Sequence, residues 1–84
     1  MCIRRQAKDG LNNICGKNVA FLRKNMGLSQ RQLADALQLA GLYIDKNAVQ
    51  RIECGKRFVT DIEIIAIADT LGVSLDALLR RENI

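Results

Sequence analysis

Ile44-Asp45-Lys46-Asn47-Ala48-Val49-Gln50-Arg51-Ile52-Glu53-Cys54-Gly55-Lys56-Arg57 is a short stretch that carries its own helix start, helix stop and basic exit. A short carboxylate such as Asp45 accepts from the free N–H groups of a first turn, and Gly55 is able to take the left-handed conformation that ends a helix. On a 3.6-residue period Val49 and Ile52 fall on one side, while Asn47, Gln50 and Arg51 fall on the other. One face packs and the opposite one touches. In a major groove Arg makes bidentate contacts to guanine and Asn or Gln to adenine, so the outward set suits the reading of DNA. The same side chains also suit a solvated helix exterior, and the rest of the chain has to decide between the two.

The chain has 84 residues, 49% of them hydrophobic and 4% aromatic, with no Pro. That is enough for one core, and its Leu, Ile, Val and Ala suit an all-α bundle. No repeat is visible, no apolar run approaches the roughly 18 residues of a membrane span, and Met1 to Gly10 lacks the apolar segment of a signal peptide. A cytoplasmic protein with no membrane association is the expectation. Cys2, Cys15 and Cys54 are odd in number, share no C-x-x-C spacing and have no His beside them, so neither disulfide nor metal site is expected. Cys15 and Cys54 read as small core residues. Without His, a phosphate-cradling Gly-rich loop or paired carboxylates, the chain does not read as an enzyme, and no cofactor or small-molecule substrate is implied.

Charge is unevenly placed. Residues 1–57 carry eleven Lys or Arg against four Asp or Glu, and residues 58–84 carry two against five. A basic part beside an acidic one is the electrostatic footprint of a polyanion-binding surface.

Along the chain, Met1 to Leu11 has no sustained period and carries Arg4, Arg5 and Lys8, which reads as a loosely held basic arm. A first helix is expected from near Asn13 to Gly27, with Val19, Leu22 and Met26 inward and Lys17, Arg23 and Lys24 pointing elsewhere. Phe21 stands outside the inner set. Ser29 and Gln32 form a capping box that opens a second helix with Leu33, Ala34, Leu37 and Ala40 inward. Its first turn, with Gln30, offers free N–H groups to a phosphate. Thr60 and Glu63 form another box, opening a helix whose Ile64, Ile67, Ala68 and Leu71 recur on one face before Gly72. Ser74 starts a last short helix with Leu75, Leu78 and Leu79 inward. The architecture expected is five helices around one core.

Four ordered blocks, Cys15-Gly16-Lys17-Asn18-Val19 through Leu22-Arg23-Lys24, Gly27 through Ala34, Val49 through Arg57 and Leu71 through Leu79, resemble the lambda Cro/C1, or Xre, family of helix-turn-helix DNA-binding proteins. The resemblance spans about residues 14–80. It implies a compact five-helix bundle of the lambda repressor-like type, with a basic arm at 1–12, the DNA-binding domain at 13–80 and a short tail at 81–84. Lys46, Asn47, Gln50 and Arg51 would face the bases, while Gln30, Arg31, Lys56 and Arg57 would grip the DNA backbone. Arg23 would pair with Glu53 and hold the reading helix against the scaffold.

One departure stands out. Leu37-Gln38-Leu39-Ala40-Gly41-Leu42-Tyr43-Ile44 is about five residues longer than the tight corner usual in the family. Its apolar content predicts an ordered insertion, with the second helix prolonged by a turn and Tyr43 packed back. The resulting expectation is a bacterial or phage-encoded transcription regulator, a repressor that binds double-stranded DNA as a homodimer. A different reading of the same fold is an antitoxin or anti-regulator that works by binding a protein partner, supported by a second apolar stripe of Ile62, Ile65 and Ala66 on the fourth helix.

Overall fold

The computed structural model describes residues 11–80, along which five helices follow one another: α1 (Gly16–Asn25), α2 (Gln30–Leu39), α3 (Lys46–Glu53), α4 (Asp61–Leu71) and α5 (Leu75–Leu79). The basic arm and the tail expected at the two ends fall largely outside the described residues.

Four of the helices begin where a side-chain oxygen is available to the first turn. Ser29 Oγ accepts from the Gln32 amide at 3.0 Å while Gln32 Oε1 accepts from the Ser29 amide at 2.8 Å. Thr60 and Glu63 repeat the exchange at the head of α4, and Ser74 caps α5 through the Ala77 amide at 3.1 Å. Asp45 Oδ1 accepts from the Ala48 amide at 2.8 Å, which starts α3. Such caps contribute about 1 kcal/mol each.

α1 is shorter than expected at both ends. Asn13 lies outside the helix, two residues before the Cys15 cap position, with its Oδ1 accepting from the Gly16 amide at 2.8 Å. Its Nδ2 is meanwhile drawn to the carbonyls of Ile52 at 3.1 Å and Arg57 at 2.7 Å. At the other end Gly27, with φ +74°, turns the chain out of the helix.

Val19, Leu33, Ala34, Leu37, Val49, Ile52, Ile67, Ala68, Leu71 and Leu78 form the core, joined by Cys15, Ile44 and Ala48. Several apolar positions expected inside are not. Met26 caps α1 and is half-exposed, because the chain has already turned away from the core there. Leu75, the first residue of a five-residue helix, is likewise only half-covered. Ala40 is exposed beyond the end of α2, and Cys54 is exposed past the end of α3, with its Sγ over the Arg51 carbonyl. Two polar groups take inside places instead. Asn18 is fully buried and donates to the carbonyls of Leu78 at 2.7 Å and Arg80 at 2.6 Å, tying α1 to the chain on either side of the end of α5. Arg23 is the other.

The insertion between α2 and α3 differs from expectation in its side chains. α2 stops at Leu39, and Gly41, with φ +100°, closes a two-bond C-terminal turn: the Leu42 amide donates to the Leu37 carbonyl at 2.9 Å and the Gly41 amide to Gln38 at 3.0 Å. Gln38 Nε2 then donates to the Ile44 carbonyl at 2.9 Å. Leu42 and Ile44 face the core, so by the alternation of an extended segment Tyr43 faces out, and it is 83% exposed. Tyr43 does not pack back.

Candidate nucleic-acid interface

α3 presents two unlike faces. Ala48, Val49 and Ile52 are buried, whereas Lys46, Asn47, Gln50 and Arg51 are all exposed on the side away from the core. The helix enters this orientation through an apolar pair at its start, since Ile44 just before the cap and Val49 in the second turn are both buried. Its far end is held by Asn12, Asn13, Gly16, Arg23 and Gln30.

Glu53 is the centre of that attachment. Its Oε2 accepts from Arg23 Nε at 2.6 Å, and its Oε1 accepts from Arg23 Nη2 at 3.1 Å and from Gln30 Nε2 at 2.9 Å. Arg23 Nη1 donates onward to the Leu28 carbonyl at 2.7 Å. The two charged side chains are only 9% and 7% exposed, so the desolvation each suffers is offset by bidentate geometry and by the further hydrogen bonds on both. Gly16 adds a backbone contact: a Cβ at that position would overlap the Ile52 carbonyl, so only glycine lets α1 approach α3 this closely. Asn12 completes the clamp, its amide donating to the Gly55 carbonyl at 2.8 Å and its Nδ2 to Lys56 at 2.9 Å.

The residues expected to meet phosphates are not equivalent. Lys56 is exposed just beyond α3, and Arg31 is exposed on the first turn of α2. Gln30 shares that turn, but its side-chain amide already donates to Glu53. Arg57 is half-buried, with Nη1 and Nη2 donating to the two carboxylate oxygens of Glu63 at 3.1 and 3.2 Å. Burial pushes the Glu63 carboxyl up, but hydrogen bonds from the Thr60 amide and the Arg57 guanidinium outweigh it and hold the group below its ordinary value. At Cys15 burial pushes the thiol up to about 11. Arg31, Asp35, Gln38, Asp45 and Lys46 line an open cleft between α2 and the start of α3.

Asn12, Asn13 and Gly16 were not singled out by the sequence reading as parts of this site. The adjacent pair of Asn ahead of Cys15-Gly16 is the signal that points to them, since Asn side chains bond main-chain groups where a chain turns.

Two helices joined through a turn, the second clamped at one end and open on a polar face, are matched by a helix-turn-helix family profile over residues 19–78. The chain belongs to the Cro/C1-type helix-turn-helix family. It is a DNA-binding regulator of transcription, and α2 and α3 are the two helices of its helix-turn-helix. Among solved structures it is similar to the restriction-modification controller protein C.AhdI from Aeromonas hydrophila, with 32% identity, TM-score 0.67 and coverage of 77% of this chain and 91% of that one. It is also similar to the hypothetical transcription factor NHTF from Neisseria, at 26% identity and TM-score 0.71, covering 95% of this chain and 87% of that one. The clp gene regulator ClgR from C. glutamicum shares the fold at 20% identity and TM-score 0.71, covering 86% and 88% of the two chains. No curated protein matches the sequence. Among the described residues, no helix of this helix-turn-helix protein is long and apolar enough to cross a membrane.

Proposed function

We propose that this protein is a sequence-specific repressor that acts in the cytoplasm and reads the major groove of double-stranded DNA as a homodimer. The observation that carries the reading is the split of α3, whose exposed side is Lys46, Asn47, Gln50 and Arg51 and whose buried side is Ala48, Val49 and Ile52. Asn47, Gln50 and Arg51 supply the planar donor and acceptor groups that discriminate bases, and Lys46 adds charge at the groove edge. Arg31 and Lys56 flank them as cations for the phosphates, with Gln30 on the same turn as Arg31. The similarity to a controller protein and a transcription factor supports a regulatory use of this face.

Phe58, Ile62 and Ile65 are exposed on and just before α4, and this apolar stripe is the surface on which a second copy would pack. The same stripe also supports a second reading, in which it receives a different protein and the domain works as an anti-regulator.

The test is electrophoretic mobility shift on a selected duplex and on random duplex across a salt range. With Arg31, Lys46 and Lys56 each neutralising one phosphate, a dimer neutralises about six, so log affinity falls with log salt at a slope of about −5. A slope near zero, or equal affinity for selected and random duplex, removes the reading in favour of the protein-binding module.

A further inference from the structure

Gly55, Lys56 and Arg57 leave α3 with both main-chain groups of every residue engaged. Their amides donate back into the helix, Gly55 to the Ile52 carbonyl at 3.0 Å and Lys56 and Arg57 to the Arg51 carbonyl at 2.9 and 3.3 Å. Their carbonyls accept from the segment just ahead of α1. Gly55 accepts from the Asn12 amide at 2.8 Å, Lys56 from Asn12 Nδ2 at 2.9 Å and Arg57 from Asn13 Nδ2 at 2.7 Å. Leu11 closes over the same turn, since a Cβ on Gly55 would overlap its side chain.

A connection at the surface ordinarily leaves part of its backbone to water, and its peptide planes are then able to turn. Here they are held from both sides. The direction in which the Lys56 side chain leaves the main chain is therefore set relative to Arg51, whose carbonyl holds the Lys56 amide. Both side chains are exposed, Arg51 as a reader on α3 and Lys56 as a cation for a phosphate.

Asn12 carries a sign of what the hold is for. Its Oδ1 is buried with no hydrogen-bond partner among the described residues, a cost accepted while Nδ2 stays on the Lys56 carbonyl. The reverse orientation would set two acceptors face to face. Asn12 and Asn13 also lie ahead of the 19–78 stretch matched by the family profile, so this hold is an addition to the helix-turn-helix itself. Asn13 serves the head of α1 as well, through the Gly16 amide, which leaves Asn12 as the member that can be changed alone.

We propose that Asn12 is a positioning residue for DNA binding, which sets the Lys56 ammonium at the phosphate beside the bases read by Arg51. It touches no DNA and acts through the main chain of Lys56. The inference rests on the reading of Lys56 as a phosphate contact and adds the residue that aims it.

The experiment measures affinity for a selected and a random duplex at several salt concentrations. The proteins are the wild type, Asn12→Ala, Lys56→Ala, Asn47→Ala, and Asn12→Ala combined with each of the other two. Asn12→Ser, whose hydroxyl ends one bond short of the amide nitrogen, repeats the removal with a polar side chain, and thermal melts fix a temperature at which every variant is folded. Asn12→Ala and Asn12→Ser are expected to weaken binding to both duplexes by about threefold, the size of one exposed ion pair. The salt slope is expected to flatten by up to about 0.9 per subunit. The effect of Asn12→Ala should vanish in the Lys56→Ala background, where there is no ammonium to place, and persist in full with Asn47→Ala. Wild-type affinity in both Asn12 variants overturns the proposal. So does a loss that persists with Lys56→Ala or disappears with Asn47→Ala, because Asn12 then acts through something other than the cation. A loss confined to the selected duplex makes Asn12 a support of base reading and overturns it too. If Lys56→Ala alone binds both duplexes like the wild type, the phosphate contact of Lys56 fails and the proposal with it, while Asn47→Ala still reports on α3.

Discussion

Arg57 and Glu63 face each other across the connection from α3 to α4 with both guanidinium Nη atoms on both carboxylate oxygens, and Glu63 also accepts from the Thr60 amide. A cation expected at a phosphate is thus already neutralised within the protein. Glu63→Gln keeps the capping box and releases Arg57, so it is expected to steepen the salt slope of DNA binding by about 0.9 per subunit. An unchanged slope in that variant would show that Arg57 does not reach a phosphate even when released.

The same pair sets an acid limit on stability. The Glu63 carboxyl titrates below its ordinary value of 4.5 in the folded protein, so the native state holds fewer protons there than the unfolded chain. Its contribution is fully present above 4.5 and is lost as pH falls from there through the folded value. Circular-dichroism melts across that interval should show a shallower acid loss for Glu63→Gln than for the wild type.

Glu53→Gln tests the clamp on α3. Removing one member of a buried ion pair costs about 3–5 kcal/mol, and a Gln that keeps an acceptor for Arg23 brings the expected loss to the low end, about 3 kcal/mol. Urea denaturation measures it, and a double-mutant cycle with Arg23→Met should show strong coupling. Sequence preference on DNA should stay unchanged, because neither side chain lies on the exposed face of α3.

Asn47→Ala and Arg51→Ala should each cost about 1–3 kcal/mol on the preferred site and little on random duplex. Lys56→Ala should weaken both alike and flatten the salt slope by about 0.9 per subunit. If the Asn47 and Arg51 variants keep the wild-type margin over random DNA, α3 is not the reader.

Thiol labelling separates the two described cysteines. Cys15 is 1% exposed with its thiol pushed up to about 11, whereas Cys54 is exposed. A thiol reagent at neutral pH should modify Cys54 in the native protein and Cys15 only as fast as the protein unfolds. Peptide mapping of the labelled sites reads the difference, and rapid native labelling of Cys15 would contradict the packing at the head of α1.

The parts of the fold that were legible in the sequence are those set by neighbours in the chain. Both capping boxes, the Asp45 and Ser74 starts and the Gly55 and Gly72 stops depend on residues within one turn, so their types and spacing suffice. The inward faces of α2 and α3 were legible for the same reason. What was missed depends on groups distant in sequence. Asn18 is buried because two carbonyls about sixty residues later need a donor, and Asn13 left α1 because the carbonyls of Ile52 and Arg57 compete for it. Tyr43 illustrates the opposite error. An apolar residue between two helices was expected to bury itself, yet the places on the core side were already taken by Leu42 and Ile44, and alternation left Tyr43 outside.

Asn13, Gly16 and Arg23 all meet α3 at its C-terminal end, on Ile52, Glu53 and the residues just after it. Ile44 and Val49 seat the other end in the core, and Gln38 ties the incoming connection to the Ile44 carbonyl. The helix is thus a beam supported at both ends, with Lys46, Asn47, Gln50 and Arg51 on the open side of the span. The longer connection before Asp45 leaves both supports in place.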